Sequence, residues 1–133
     1  ACLVAEIFGL DFNGPVIGGI FTIIGFGAFG KHIKNIYPVM GGAILAACFN
    51  TEPHASGSNS LAILFSTALA PIAGQFGPIA GFICGFLHVL LVSSVGSLHQ
   101  GLNLYNNGYA AGFIALIVVP IISALRKDIS DEF

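Results

Sequence analysis

The chain has 133 residues, of which 56% are hydrophobic and 8% charged, with a formal net charge of −2. Soluble domains carry about one quarter charged residues, so this composition, with a mean hydropathy of +0.93, reads as an integral membrane protein. Four Lys and Arg in all exclude a nucleic-acid-binding surface, which needs clustered cations to meet phosphate.

Residues 1–9 are apolar apart from Glu6. They fall short of the roughly 20 residues a spanning helix needs and read as the tail of a helix. The chain opens in mid-hydrophobic sequence without Met or a basic leader segment, so it is expected to be one repeat, or the C-terminal part, of something longer. A single transmembrane domain is expected over 1–133.

The turn Gly9-Leu10-Asp11-Phe12-Asn13-Gly14-Pro15-Val16-Ile17-Gly18 leads into an apolar run, 14–30, closed by Lys31-His32-Ile33-Lys34-Asn35. Pro15 suits a helix first turn, where its missing N–H is not needed. Residues 36–49 are apolar but short, with Pro38 and Gly41-Gly42 inside, and the longest polar stretch, 50–60, follows. Leu61 to Ala70 is apolar and stops at Pro71, with a Gly74-Gln75-Phe76-Gly77-Pro78 break after it. Segments this short fit half-helices, re-entrant hairpins or short buried helices. Residues 78–96 make the strongest spanning candidate. Gly101 to Gly112 then echoes the Gly9–Gly18 turn with two extra residues and opens the last span, 109–125, in which Pro120 predicts a kink. The expected fold is all-α, a polytopic transmembrane helical bundle of about five segments, some short or re-entrant.

Lys31 and Lys34 close the first helix and Arg126 and Lys127 the last. Cations bias their loops to the cytoplasm, so 31–34 and 126–127 are expected inside a multi-pass plasma-membrane protein. Loops 50–60 and 97–108 then lie outside, and the Gln75 turn inside. Gly77, Gly81 and Gly85 recur every four residues, with Gly14/Gly18 and Gly108/Gly112 on the same pattern; such ridges let helix backbones approach closely in lipid.

Broken short segments point to a translocation path. The candidates along it are Asn13, Gly14, Pro71, Gln75, His88, Asn103, Asn106, Asn107 and Gly108. Side-chain amides both donate and accept, which suits them to replace the hydration shell of a small polar solute. The competing reading is that Asn13 and Asn107 cap the helices that follow, with Gly supplying turn geometry. His88 lies near the middle of its helix, where an ionisable residue marks a functional site or a ring held by a neighbouring carbonyl. Asp11, two residues before the first Asn-Gly turn, can attract a cation or stay solvated. Glu52, His54 and His99 fall in the outer loops, where they either pre-select solute or are simply solvated. Cys2, Cys48 and Cys84 are widely spaced without a CxxC pair, which argues against a metal site or disulfide framework. No hydrolase, metalloprotease or phosphate-loop motif is present, so neither an enzyme nor a cofactor is expected. The expected partners are the lipid bilayer, a small polar solute, and copies of the chain or another membrane subunit.

Asn13-Gly14-Pro15-Val16-Ile17-Gly18-Gly19, Thr51-Glu52-Pro53-His54-Ala55-Ser56-Gly57, Leu69-Ala70-Pro71-Ile72-Ala73-Gly74 and Leu102 through Gly112 resemble a family of uncharacterised prokaryotic multi-pass membrane proteins with a repeated domain of unknown function. That resemblance covers nearly the whole chain and implies no activity. A second, weaker likeness lies in the repeated Gly-Leu-polar-Asn-Gly turn, which resembles the repeat of urea transporters over about a dozen residues per copy. It implies inverted repeats, half-membrane helices around a pore, and passage of a small neutral solute without a fuel. Leu69 to Gly74 is only a loose parallel to that family's Leu-Pro-x-x-Thr-x-Pro-Phe segment. The expected function is a channel or facilitative transporter; the alternative is a non-transporting helical subunit of a larger membrane complex.

Overall fold

The computed structural model of the chain describes residues 13–28, 30–49, 55–95 and 103–131, and the side chains of 13–28, 30–49, 60–95 and 106–127. Every regular element among them is helical: α1 Gly14–Gly27, α2 Ile33–Phe49, α3 Ala55–Ser66, a 3-10 turn Thr67–Leu69, α4 Ala70–Phe76, α5 Pro78–Val95 and α6 Asn103–Asp131. Helices α5 and α6 are long and apolar enough to cross a membrane. Large apolar side chains face outward from them, Ile79, Ile83 and Leu87 on α5 and Phe113, Leu116 and Ile121 on α6. A water-soluble surface rarely presents so much contiguous apolar area.

Helices α2 and α5 form the tightest pair, and glycine is the reason. A Cβ added at Gly42 would run into the Phe82 carbonyl oxygen, and one at Gly85 into the Val39 carbonyl oxygen. The two backbones therefore touch directly at two points along the seam. Small residues at such a crossing bring dispersion contacts and weak backbone contacts into range that any side chain would hold apart. Gly81 completes the seam, packed on Ala73 of α4 and Val39 of α2.

The glycine pattern is only partly a packing ridge. Gly77 has φ 99° and ends α4, so it is the turn that reverses the chain into α5. Gly14, Gly18, Gly108 and Gly112 have nothing within 4 Å of where a Cβ would stand. Their four-residue spacing is the same, but those faces meet no other part of the described chain.

The two short segments are continuous helix. α2 runs 17 residues through Pro38, about 25 Å at the α-helical rise, and Pro38 is buried within it. Residues 61–74 lie in one nearly unbroken helical run from Ala55 to Phe76. Pro71 does not stop that run; it changes its pitch. Proline offers no N–H to the carbonyl four residues back and crowds it. The Thr67 carbonyl instead accepts from the Ala70 N–H, the three-residue step of a 3-10 turn.

This run is the most enclosed part of the chain. Ala62, Ile63, Leu64, Leu69, Ala70, Ile72 and Ala73 are all buried. Met40, Ala43 and Ala46 of α2, Val89 and Val92 of α5 and Ala110 of α6 join Ala62 and Ile63 in one core cluster. Helix α1 is peripheral and buries Val16 and Ile20 on Leu64.

Two cations fix which ends lie together. Lys31, after α1, donates from Nζ to Thr67 Oγ1 at 3.2 Å. Arg126, late in α6, donates from Nη1 to the Gln75 carbonyl and from Nη2 to the Phe76 carbonyl, both at 3.1 Å. These are the last carbonyls of α4, which have no intrahelical donor. The C-terminal ends of α1 and α6 thus lie against the same stretch, 67–76.

Candidate functional site

The two Asn-Gly turns, alike in sequence, do different things. Asn13 stands before α1 in an extended conformation, and its Oδ1 accepts from the Val16 N–H at 3.1 Å. It is solvent-facing and acts as a helix cap. Asn→Ala at such a cap costs about 1 kcal/mol and Asn→Ser almost nothing. Asn13→Ala is therefore expected to lower stability by about that amount, with Asn13→Ser near wild type, read from reversible unfolding in detergent. A solute-contacting role would instead make both variants lose flux without that split in stability.

Asn106 and Asn107 are not caps. α6 begins at Asn103, so they sit a turn inside the helix with their side chains buried, at 0% and 3% exposure. The expectation that Asn107 caps the last helix is corrected: the helix starts earlier than the apolar run does. Asn here is worth its helix-propensity cost only through what its side chain meets.

What Asn107 meets is His88. Its Oδ1 lies 3.2 Å from His88 Nε2, and the ring, at mid-α5, is fully buried. A carbonyl oxygen only accepts, so Nε2 carries the proton and donates. Nδ1 of the neutral ring is left as an acceptor, and it has no partner among the described residues. Neither Oδ1 nor Nδ2 of Asn106 has one either. His88 thus keeps one buried acceptor, and the Asn106 amide one buried acceptor and one N–H donor group. No group of three or more His, Cys, Asp or Glu able to hold a metal occurs among the described residues. Cys84 is buried among the α2, α4 and α6 core residues and Cys48 is exposed, both as free thiols.

The other candidates lie elsewhere. Gly14, Pro71, Gln75 and Gly108 are exposed; Gln75 takes part through its backbone carbonyl. Asn103 is the first residue of α6. Asp11, Glu52, His54, His99 and Cys2 lie outside the described residues. Of the nine path candidates, then, the structure buries His88, Asn106 and Asn107 and joins His88 to Asn107.

The sequence also held a signal that had been read only for orientation. Lys31 is half-buried and sits over the Phe26 ring at 4.9 Å, beside a cavity of about 420 Å³ that Phe26, Asn35, Ala68 and Pro71 help to line. Asn35, buried and next in sequence to a lysine, went unnoticed. Its Oδ1 accepts from the His32 N–H at 2.9 Å and its Nδ2 donates to the Gly30 carbonyl at 3.1 Å. The first bond is half of a capping box with Asn at the third helical position.

Residues 1–124 of the chain match the profile of a protein family described as of unknown function. No curated protein and no solved structure matches it.

Proposed function

We propose a transport role for this chain, which belongs to the family described as Protein of unknown function (DUF1576) and takes no activity from that description. The chain is a multi-pass membrane protein, a channel or facilitative transporter for a small polar solute, with His88, Asn106 and Asn107 on the path. The observation that carries this reading is Asn106, a fully buried amide with neither end paired among the described residues. An unpaired buried polar group costs about 1–3 kcal/mol, and in lipid no solvent relieves it. A passing solute that both donates and accepts relieves it, and one that also reaches the His88 Nδ1 acceptor gains a further bond. An uncharged solute of urea's kind fits this set. The set has no cation to attract an anion, since Lys31 and Arg126 bind at the 67–76 stretch.

Lys31, Lys34, Arg126 and Lys127 face the cytoplasm in this reading. The run 55–76 crosses as one segment, so α1, α2, that run, α5 and α6 alternate direction. The outward apolar faces of α5 and α6 meet lipid, copies of the chain or a partner membrane chain.

The test is flux. Stopped-flow shrinkage of proteoliposomes, with urea and glycerol as probes, is expected to show His88→Ala and Asn107→Ala at one tenth of wild-type permeability or less. That corresponds to about 1.4 kcal/mol or more of lost solute stabilisation. Wild-type flux in both variants removes these residues from the mechanism.

The second reading, a non-transporting subunit of a larger complex, is favoured by the α2–α5 seam. Backbone contact at Gly42 and Gly85 leaves no room for solute along it. Permeability equal to protein-free vesicles for all probes selects this reading.

A further inference from the structure

We propose that the cavity beside Lys31 binds a phosphate group, presented by the headgroup of an acidic membrane lipid. The cavity, about 420 Å³, opens between the end of α1 and the start of α4, with Phe26 and Pro71 exposed at its edge. A lipid headgroup therefore reaches it from the side while its tails lie along the apolar outer face of α1, where Phe21 and Ile24 are exposed.

Lys31 is the charged group in its wall. One of its three N–H donors goes to Thr67 Oγ1, which spends its own proton on the Leu64 carbonyl at 2.8 Å. The Phe26 ring takes one side of the ammonium. Both partners are neutral, so the charge has no counter-ion among the described residues. Burial accordingly pushes the Lys31 pKa below the ordinary lysine value, the mark of a charge taken from water without compensation.

The loop is built to hold that charge in place. Gly30 takes φ 87°, the left-handed region that favours glycine. The Lys31 N–H bonds back to the Phe26 carbonyl at 3.3 Å. Asn35 spends both ends of its amide on the loop backbone on either side of Lys31. Loop and amide thus hold the backbone around Lys31, and the remaining ammonium donors suit an oxygen-rich anion. A phosphate supplies one negative charge and several strong acceptors in that space. Basic pockets between helices on the cytoplasmic side take such headgroups.

The experiment reconstitutes the whole chain in phosphatidylcholine bilayers containing phosphatidylglycerol, extracts it gently and counts retained lipid by native mass spectrometry. Wild type is expected to retain phosphatidylglycerol over phosphatidylcholine, and Lys31→Gln to lose about five-fold of that preference, the worth of one lysine near an acidic surface. Lys31→Arg, which keeps the charge, and Lys34→Gln, at an exposed position, are expected to retain it. Circular dichroism and detergent melting of Lys31→Gln establish that the variant is folded; in a misfolded sample Thr67→Val, which frees the ammonium from its one hydroxyl, is read instead and is expected to shift the same preference. Inorganic phosphate that displaces the lipid from solubilised protein assigns recognition to the phosphate group alone. Retention against inorganic phosphate assigns it to phosphate together with the lipid glycerol. Equal retention of both lipids by wild type overturns the proposal, as does equal loss in Lys31→Gln and Lys34→Gln, the behaviour of a diffuse surface charge, or no loss in folded Lys31→Gln, the behaviour of an ammonium already neutralised by the chain's own carboxylates.

Discussion

Gly85→Ala is expected to cost about 3 kcal/mol or more of folding stability, enough to leave a marginal bundle unfolded in detergent. Overpacking in a protein interior usually costs about 1–3 kcal/mol, because neighbouring side chains turn away. At Gly85 the obstacle is the Val39 backbone itself, with its carbonyl oxygen, carbonyl carbon and Cα all in the path of the new methyl. No rotamer change removes a backbone atom. α2 must move off α5, and the reciprocal contact of Gly42 on the Phe82 carbonyl opens with it. Gly112→Ala is the matched control, the same substitution in a helix where nothing stands within 4 Å. There the higher helix propensity of Ala is expected to leave stability unchanged or raised by up to about 1 kcal/mol. Reversible unfolding in mixed micelles, with helicity as the signal, separates the two. Equal stability in Gly85→Ala and Gly112→Ala would show that the seam is not backbone contact.

Asn106→Leu is expected to do the reverse, raising stability while abolishing flux. Leu repeats the branched skeleton of Asn with bulkier methyl groups and carries no polar atom. Replacing a buried amide whose oxygen and nitrogen have no partner among the described residues removes a penalty of about 1–3 kcal/mol. A gain in unfolding free energy of about that size, together with solute flux reduced to the protein-free level, is the expected pair. Destabilisation would mean that the amide is paired inside the bundle and serves to hold it. Stability raised with flux unchanged would place the solute path elsewhere. Buried groups that a protein would be more stable without are kept for what they do, and this pair of measurements separates holding from handling.

Much of this architecture was legible in the residues. Low charge and long apolar runs mark a helical protein, and the segment expected at 78–96 is the helix Pro78–Val95, long and apolar enough to cross a membrane. What the pattern could not carry was direction. Gly81/Gly85 and Gly108/Gly112 have one spacing, yet the first pair is pressed between helices and the second is open, because spacing defines a face without saying what it meets. Proline misled for a related reason. Pro38 marked a break inside one short segment and Pro71 the end of another, but an X-Pro break is a local preference that tertiary packing overrides. Pro38 is swallowed by α2, and Pro71 is absorbed by a 3-10 turn. The two Asn-Gly turns shared a motif, and only the position of the helix start divides them, Asn13 before its helix and Asn107 inside. His88 was legible as a candidate from its depth. Its partner, 19 residues away, could not be read from sequence.

The bracket that Lys31 and Arg126 place on the 67–76 stretch ties assembly to the order of synthesis. Lys31 precedes its partner Thr67 by 36 residues, whereas Arg126 follows its partner Gln75 by 51. The first clasp can close soon after Thr67 has emerged; the second waits for nearly the whole remaining chain, and closing over that separation carries a loop entropy that local helix formation does not. Until then the Gln75 and Phe76 carbonyls rely on water for their donors. A chain made only as far as α5 therefore has the first clasp and still lacks the second.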